Sequence, residues 1–281
     1  FCLYVVLNKL AHKFNFLDYP NQRKIHSQPT PYIGGLVISF IYIIIILLDI
    51  SKFELFNLIL IFSVVISIVG LIDDIFDINP FLKIILQSIP IYFLISKGLY
   101  LTDLGNYEIF GIISLGQYGQ IFTLLCSLLL INAFNYSDGI DGLLGTMFIN
   151  IFLSFLLLSF FYEKFDELKL LFYLILPLFI FLVFNFSAFN LPKIFLGDSG
   201  SNLLGFITGF VMIYLYKISL INPSILIWPV ALIIYEFLST NVVRIIKRKN
   251  LFQSGNDHLH YQIKKIYNLN IFQINIVINL I

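Results

Sequence analysis

Charge is what this chain has least of. Only 12% of its 281 residues are Asp, Glu, Lys or Arg, where a soluble globular domain carries roughly a quarter, and mean hydropathy is +0.94. A water-soluble fold is excluded, and a polytopic membrane protein is the expectation. Cysteine is nearly missing as well. Cys2 and Cys126 both fall in apolar runs, which excludes a disulfide framework and predicts buried thiols. The apolar runs are continuous rather than alternating, so a closed transmembrane barrel does not fit. There is no internal repeat, and no inverted pair of broken helices of the transporter kind. A net charge of +1 with only local positive clusters gives no reason to expect nucleic acid.

What is present is apolar sequence in membrane-sized pieces. A spanning helix needs about 20 apolar residues, and that ruler marks ten segments: 1–17, 34–50, 56–72, 82–97, 117–134, 143–162, 168–187, 201–217, 223–243 and 268–281. The fold expected is all-α, a single transmembrane helical bundle over 1–281 with about ten spans. The chain lacks an initiator Met and both ends fall inside apolar stretches. Truncation at both ends is therefore expected, with eleven spans as the alternative count for a full-length protein. Alternating the sides collects the loops 18–33, 73–82, 135–142, 188–200 and 244–267 on one face. Twelve of the seventeen Lys and Arg residues lie in or beside those loops, which predicts that this face is cytoplasmic. The polar stretch 98–116 reads as an excursion on the other side.

Eight of the eleven aspartates occupy the same loops. An acid next to hydrocarbon costs several kcal/mol unless paired, hydrated or metal-bound, so the repetition predicts one cation-dependent site at a membrane surface. The first loop carries Arg23, Lys24 and His26, then Gly34-Gly35 at the next helix start. Arg and Lys donate charge-assisted bonds to phosphate, and glycines at a helix start let an anion approach backbone N–H groups; a plain basic anchor is the blander reading. Asp73 and Asp74 end the third segment. Adjacent carboxylates repel, so either one is held protonated or a cation keeps both ionised, and Lys83 could neutralise part of the pair. The run Asn132-Ala-Phe-Asn135-Tyr-Ser-Asp138-Gly-Ile-Asp141-Gly142 is the most specific. Its oxygen donors suit Mg²⁺, which keeps waters and uses substrate phosphates to fill its shell. Gly197-Asp198-Ser199-Gly200-Ser201 precedes the eighth segment and reads as a phosphate seat at a helix N-terminus, or else a simple N-capped turn. Arg244, then His258 and His260, suit diphosphate or sugar contacts better than zinc, for which the spacing is poor. Glu236 lies inside the ninth segment, where an acid is a functional candidate by default.

Arg23-Lys-Ile-His26, Gly34-Gly35, Asp73-Asp74, the 132–142 run, Phe195-Leu-Gly-Asp-Ser-Gly-Ser201 and His258-Leu-His260 occur in an order that resembles the polyprenyl-phosphate N-acetylhexosamine-1-phosphate transferases of glycosyltransferase family 4. The similarity extends from residue 21 to about residue 263. It implies transfer of a sugar-1-phosphate from a UDP-N-acetylhexosamine to undecaprenyl phosphate, with release of UMP. It also implies Mg²⁺, with Mn²⁺ as a substitute, and a multi-pass protein of the bacterial cytoplasmic membrane working on its cytoplasmic face. By this resemblance Asp198, with Asn132, would hold the metal, and Asp73 or Asp74 would orient or deprotonate the lipid phosphate. Asp138 and Asp141 would contact uridine or support the metal shell. Arg23, Lys24, His26, Asn135, Ser201, Arg244, His258 and His260 would bind substrate. The His258-Leu-His260 spelling looks like the GlcNAc-1-phosphate branch rather than phospho-N-acetylmuramoyl-pentapeptide transferase. Tyr261 stands where that branch usually has another His, and Glu236 where the family usually has Asp. A homodimer is compatible with the sequence. The rival class is a cation-coupled transporter or lipid flippase, which predicts acids at mid-membrane depth.

Overall fold

The computed structural model describes residues 1–20, 28–48, 53–109, 111–219, 221–249 and 258–280. Twelve α-helices account for most of it: α1 Cys2–Phe14, α2 Gly34–Leu47, α3 Glu54–Phe76, α4 Pro80–Ser96, α5 Gly119–Ser137, α6 Leu143–Phe161, α7 Phe165–Asn185, α8 Gly197–Ser219, α9 Pro223–Leu226, α10 Ala231–Ile246, α11 Leu259–Tyr267 and α12 Ile271–Leu280. In hydrocarbon a helix is the simplest way to satisfy every backbone N–H and C=O within one segment, and the continuous apolar runs leave no other choice. Their ends are set by local chemistry. Asp77 adopts a left-handed conformation that stops α3. Two residues on, Asn79 caps α4 by accepting from the Phe81 N–H, with Pro80 at the first helical position, where its missing N–H costs nothing.

All ten expected segments contain helix, and the fold is all-α as expected. Among the described residues six helices are long and apolar enough to cross a membrane: 54–76, 116–137, 143–161, 165–185, 197–218 and 223–246. The last runs from α9 through a 3₁₀ turn into α10. Helices α2, α4 and α12 are shorter apolar helices, and α1 ends after 13 residues at a left-handed Asn15. Apolar side chains continue past these ends into turns, so counting apolar residues overstates helix length. The segment 98–116 contains no span among its described residues. It forms an antiparallel hairpin of β3 Asp103–Tyr107 and β4 Gly111–Ser114. A second pair, β1 Leu17–Asp18 with β2 Thr30–Pro31, closes the chain entering α2.

Helix α8 is the axis of the bundle. It packs against α3, α5 and α2, and 78% of its apolar window is buried, against 28–56% for the other five long helices. Close approach is made by glycine. A Cβ on Gly35 would lie 2.2 Å from the Gly200 nitrogen, and one on Gly70 would lie 2.3 Å from the Asp198 carbonyl oxygen. Small residues let backbones meet where no hydrophobic force drives helices together. The outer faces carry exposed Phe, Ile and Leu side chains, as a lipid-facing surface must. Cys2 and Cys126 lie on these faces and are exposed, not buried.

Candidate active site

The ends of α3 and α5 and the starts of α4, α6 and α8 meet at one end of the bundle, and the polar motifs meet with them. At the centre is Lys83, one turn into α4. Its ammonium donates to Asp73 Oδ2 and to Asp198 Oδ2, both at 2.6 Å. Asp73 Oδ1 accepts from the Ile78 N–H at 3.1 Å, which ties the α3–α4 turn to the cluster. Asn135 donates to the buried Ser201 hydroxyl at 3.0 Å. Side chains from α3, α4, α5 and α8 are thereby locked around two acids and one ammonium.

Asp74, one residue from Asp73, does something else. Its two oxygens accept from the backbone N–H groups of Asp198 and Ser199 at 3.0 and 3.1 Å, so it caps α8. Two of the first-turn donors of α8, where a phosphate seat was expected, thus hold a protein carboxylate. Gly34 and Gly35 are likewise engaged within the protein. Their N–H groups donate to the Phe195 and Leu196 carbonyls at 2.9 and 3.0 Å; Gly35 serves the close contact with Gly200, and Gly34 the contact with the Phe195-Leu196 backbone.

Asp138 follows the end of α5 and keeps solvent exposure although protein surrounds it on every other side. That crowding first, then the charges of Asp198 and Asp141, pushes its carboxyl up to about 7. Asp141 pairs with Lys193 at 2.6 Å, and its carbonyl accepts from Asn275 of α12 at 2.8 Å. Gly142, at φ 76°, donates to the Asn185 side chain at 2.6 Å. A side chain here would also strike the Phe186 ring, so the sharp entry into α6 requires glycine.

Glu236 reaches out of α10 to the start of α11, where it accepts from the Leu259 N–H at 3.0 Å. It lies 3.8 Å from His258 Nδ1 and 3.9 Å from His260 Nδ1. The two imidazoles are near-parallel, with centroids 5.6 Å apart. His260 is fully buried, and burial first, then the adjacent His258, lowers its pKa to about 3; it is neutral. A Cβ on Gly139 would fall 2.1 Å from its Nε2, so α11 is seated directly on the Asp138-Gly139 turn. Arg244, 2% exposed, donates to the Tyr136 hydroxyl at 3.2 Å and lies over that ring, and Tyr136 meets His258 edge-on. Arg23, Lys24 and His26 lie outside the described residues.

Sequence reading did not mark Gln87, Tyr136, Lys193, Asn185 or Asn275. Gln87 had a signal: an amide in the middle of an apolar helix, four residues after Lys83. Among the described residues no three His, Cys, Asp or Glu side chains form a metal cage. The donors that do converge are Asp73, Asp198 and the amide of Asn135, with Asn132 one turn along α5. They fit a hard divalent ion that keeps waters and takes the rest of its shell from substrate. They do not fit zinc. A groove of about 320 Å³ lined by Leu156, Leu168, Lys169, Phe172 and Tyr173 lies toward the opposite end of α6 and lacks convergent polar groups.

The profile of glycosyl transferase family 4 matches residues 55–216, which span α3 to α8 and hold every acid of the central cluster. Three similar proteins carry the name undecaprenyl-phosphate alpha-N-acetylglucosaminyl 1-phosphate transferase. That of Yersinia pestis is 29% identical, over 92% of this chain and 72% of its own length. That of Thermotoga maritima is 29% identical, over 93% and 77%. That of Salmonella typhi is 30% identical, over 92% and 71%.

Proposed function

The chain belongs to glycosyl transferase family 4, and from that premise we propose that it transfers N-acetylglucosamine-1-phosphate from a UDP-sugar to undecaprenyl phosphate. UMP leaves and a lipid-linked diphosphate sugar remains. The observation that carries this reading is the Asp73–Lys83–Asp198 cluster at the end of a membrane-spanning bundle. Phosphoryl transfer asks a protein for positioning and charge neutralisation more than for covalent chemistry, and this cluster supplies both signs of charge on rigid helices. The names of the relatives favour this sugar over a muramoyl-pentapeptide. Position argues against a transporter, because the acids gather at one end of the bundle and not at its middle.

Asp198, with the amide oxygens of α5, would hold Mg²⁺, or Mn²⁺ in its place. Bound there, the ion would neutralise the diphosphate and the departing UMP. Asp73 is the acid free of capping work, and it would orient the lipid phosphate for attack on the β-phosphorus. Lys83 would exchange carboxylate partners for phosphate oxygens as substrate enters. Asp74 holds the start of α8 in place, so its role is to position Asp198. Asp138, exposed beside Asp198, is available to the nucleoside or the metal's water shell, and Asp141 fixes the turn through Lys193. His258, at the start of α11, would meet sugar or diphosphate, with the buried Arg244 and the fully buried, neutral His260 supporting it from behind. The site faces the cytoplasm of the bacterial inner membrane in this reading, because the donor is a cytoplasmic nucleotide and the Lys/Arg excess lies on that side. The test is to incubate the purified chain with Mg²⁺, undecaprenyl phosphate and a panel of UDP-sugars. UMP release with UDP-GlcNAc supports the proposal; UDP release would mean ordinary glycosyl transfer and defeat it.

A further inference from the structure

Beneath the charged cluster, one turn deeper into the bundle, lies a second polar layer. Gln87 stands four residues after Lys83 on α4, and Asn132 three residues before Asn135 on α5; residues at these spacings share a helix face. The two side chains meet. Asn132 Nδ2 donates to the Leu128 carbonyl of its own helix at 2.8 Å and to Gln87 Oε1 at 3.4 Å. Both protons of the Asn132 amino group are therefore assigned, and its carbonyl oxygen is the atom left to face elsewhere. Gln87 is fully buried, and its Nε2 has no hydrogen-bond partner among the described residues. A buried donor left unpaired is destabilising, and Leu or Met would fill the space without that cost. Turning the Gln87 amide over does not help, since it would set two N–H donors against each other.

We propose that Gln87 is a positioning residue: it takes the amino group of Asn132 and so presents the carbonyl oxygen of that amide to the site built on Lys83, Asp73 and Asp198. An oxygen presented there serves a divalent cation, whereas an amino group would repel one. This inference rests on the proposed sugar-phosphate transfer only for its catalytic consequence; the arrangement itself is testable on the substrate-free protein.

The experiment is a double-mutant cycle on the full chain, read by binding of Mn²⁺ alone in electron paramagnetic resonance and by the Mg²⁺ dependence of UMP release. Gln87→Met keeps the volume and removes the acceptor. It is expected to weaken Mn²⁺ binding and raise the Mg²⁺ requirement by about tenfold, the usual scale for losing a group that orients a ligand. Gln87→Glu keeps an acceptor for Asn132 and is expected to stay within about twofold of the parent, by the same reasoning. In an Asn132→Asp background both side-chain atoms are oxygens and orientation no longer matters, so Gln87→Met should there shift Mn²⁺ binding by nothing further. A wild-type Mn²⁺ affinity in Gln87→Met, or the same tenfold loss in both backgrounds, overturns the proposal. If the parent chain releases no UMP from any UDP-sugar, the functional reading fails while the Mn²⁺ cycle still decides the role of Gln87.

Discussion

The bundle carries a polar cluster at each end, and the two are built on opposite plans. At the hairpin end, Asp103 accepts from the Tyr216 hydroxyl, from the Thr102 hydroxyl at 3.0 Å and from the Gly105 N–H at 3.0 Å. Its three donors are neutral; against some loss of water, they, Tyr216 foremost, and the nearby Lys217 charge hold its carboxyl below the usual carboxylate range. Asn222 closes the same corner by donating to the Asn106 carbonyl at 3.4 Å. This cluster staples the hairpin to the end of α8. At the other end, Asp73 and Asp198 compete for one ammonium, a solvent-touched Asp138 sits beside them, and among the described residues buried Gln87 and His260 keep nitrogens without hydrogen bonds. A satisfied polar cluster stabilises a fold; one with repelling charges and unpaired donors is held together for what enters it.

The largest effect that would sharpen this contrast is at Lys83. Lys83→Met should lower turnover by at least about 100-fold, the scale of losing a preorganised charge at a reacting phosphoryl group, while Lys83→Arg should recover part of it. Steady-state UMP release checks both, and full activity in Lys83→Met would mean that the charged cluster is only a staple.

Next comes the contact on which the cluster's geometry depends. Gly35→Val would drive a side chain into the Gly200 backbone; displacing a close-packed core costs about 1–3 kcal/mol and often more. The expected outcome is a lower unfolding midpoint in detergent together with lost activity. A midpoint equal to the parent would show that α2 and α8 can separate freely.

At the hairpin end, Asp103→Asn should lower the midpoint by roughly 2–4 °C, since one hydrogen bond of about 1 kcal/mol is at stake, and leave turnover unchanged. Topology separates the ends too. A single cysteine at Asn106 should react with a membrane-impermeant thiol reagent in intact cells, and one at Asp77 only after permeabilisation. Both require a background without the exposed Cys2 and Cys126.

The smallest effect concerns His260. Its folded pKa is about 3 against an ordinary 6.5. The unfolded chain takes up a proton below pH 6.5 while the folded chain refuses it until about pH 3. Acidification through that window therefore favours unfolding, by up to about 1.4 kcal/mol per pH unit from this group. The midpoint of His260→Gln should accordingly fall less between pH 6.5 and pH 4.5 than that of the parent, in thermal scans at matched ionic strength.

Much of this was legible in the sequence, because an acid beside hydrocarbon is conspicuous. Asp73, Asp138 and Asp198 stand out for that reason, and parity of the apolar segments is enough to bring them together. What stayed hidden depends on side-chain direction. Asp73 and Asp74 read alike, yet successive helical residues point about 100° apart, and only one of the two faces Lys83 while the other caps α8. Gly34-Gly35 and Gly197-Asp198 both spell anion loops; in the folded chain the start of α2 donates to the Phe195 and Leu196 carbonyls ahead of α8, and the start of α8 donates to Asp74 of α3. Helix ends were misjudged where apolar side chains continue into turns, as after Phe14 and Leu47. Gln87 was passed over because a single amide in an apolar run acquires meaning only from the residue it meets.

The central claim is that the charged end of the bundle performs sugar-phosphate transfer and the satisfied end does not. The most direct test is the rate of UMP release from UDP-GlcNAc, with undecaprenyl phosphate and Mg²⁺, by the parent, Asp103→Asn and Asp198→Asn proteins side by side. The account predicts equal rates for the first two. For Asp198→Asn it predicts a fall of at least about 100-fold with the fold intact by thermal scan. Parental UMP release by Asp198→Asn, or UDP as the nucleotide product of the parent, would contradict it.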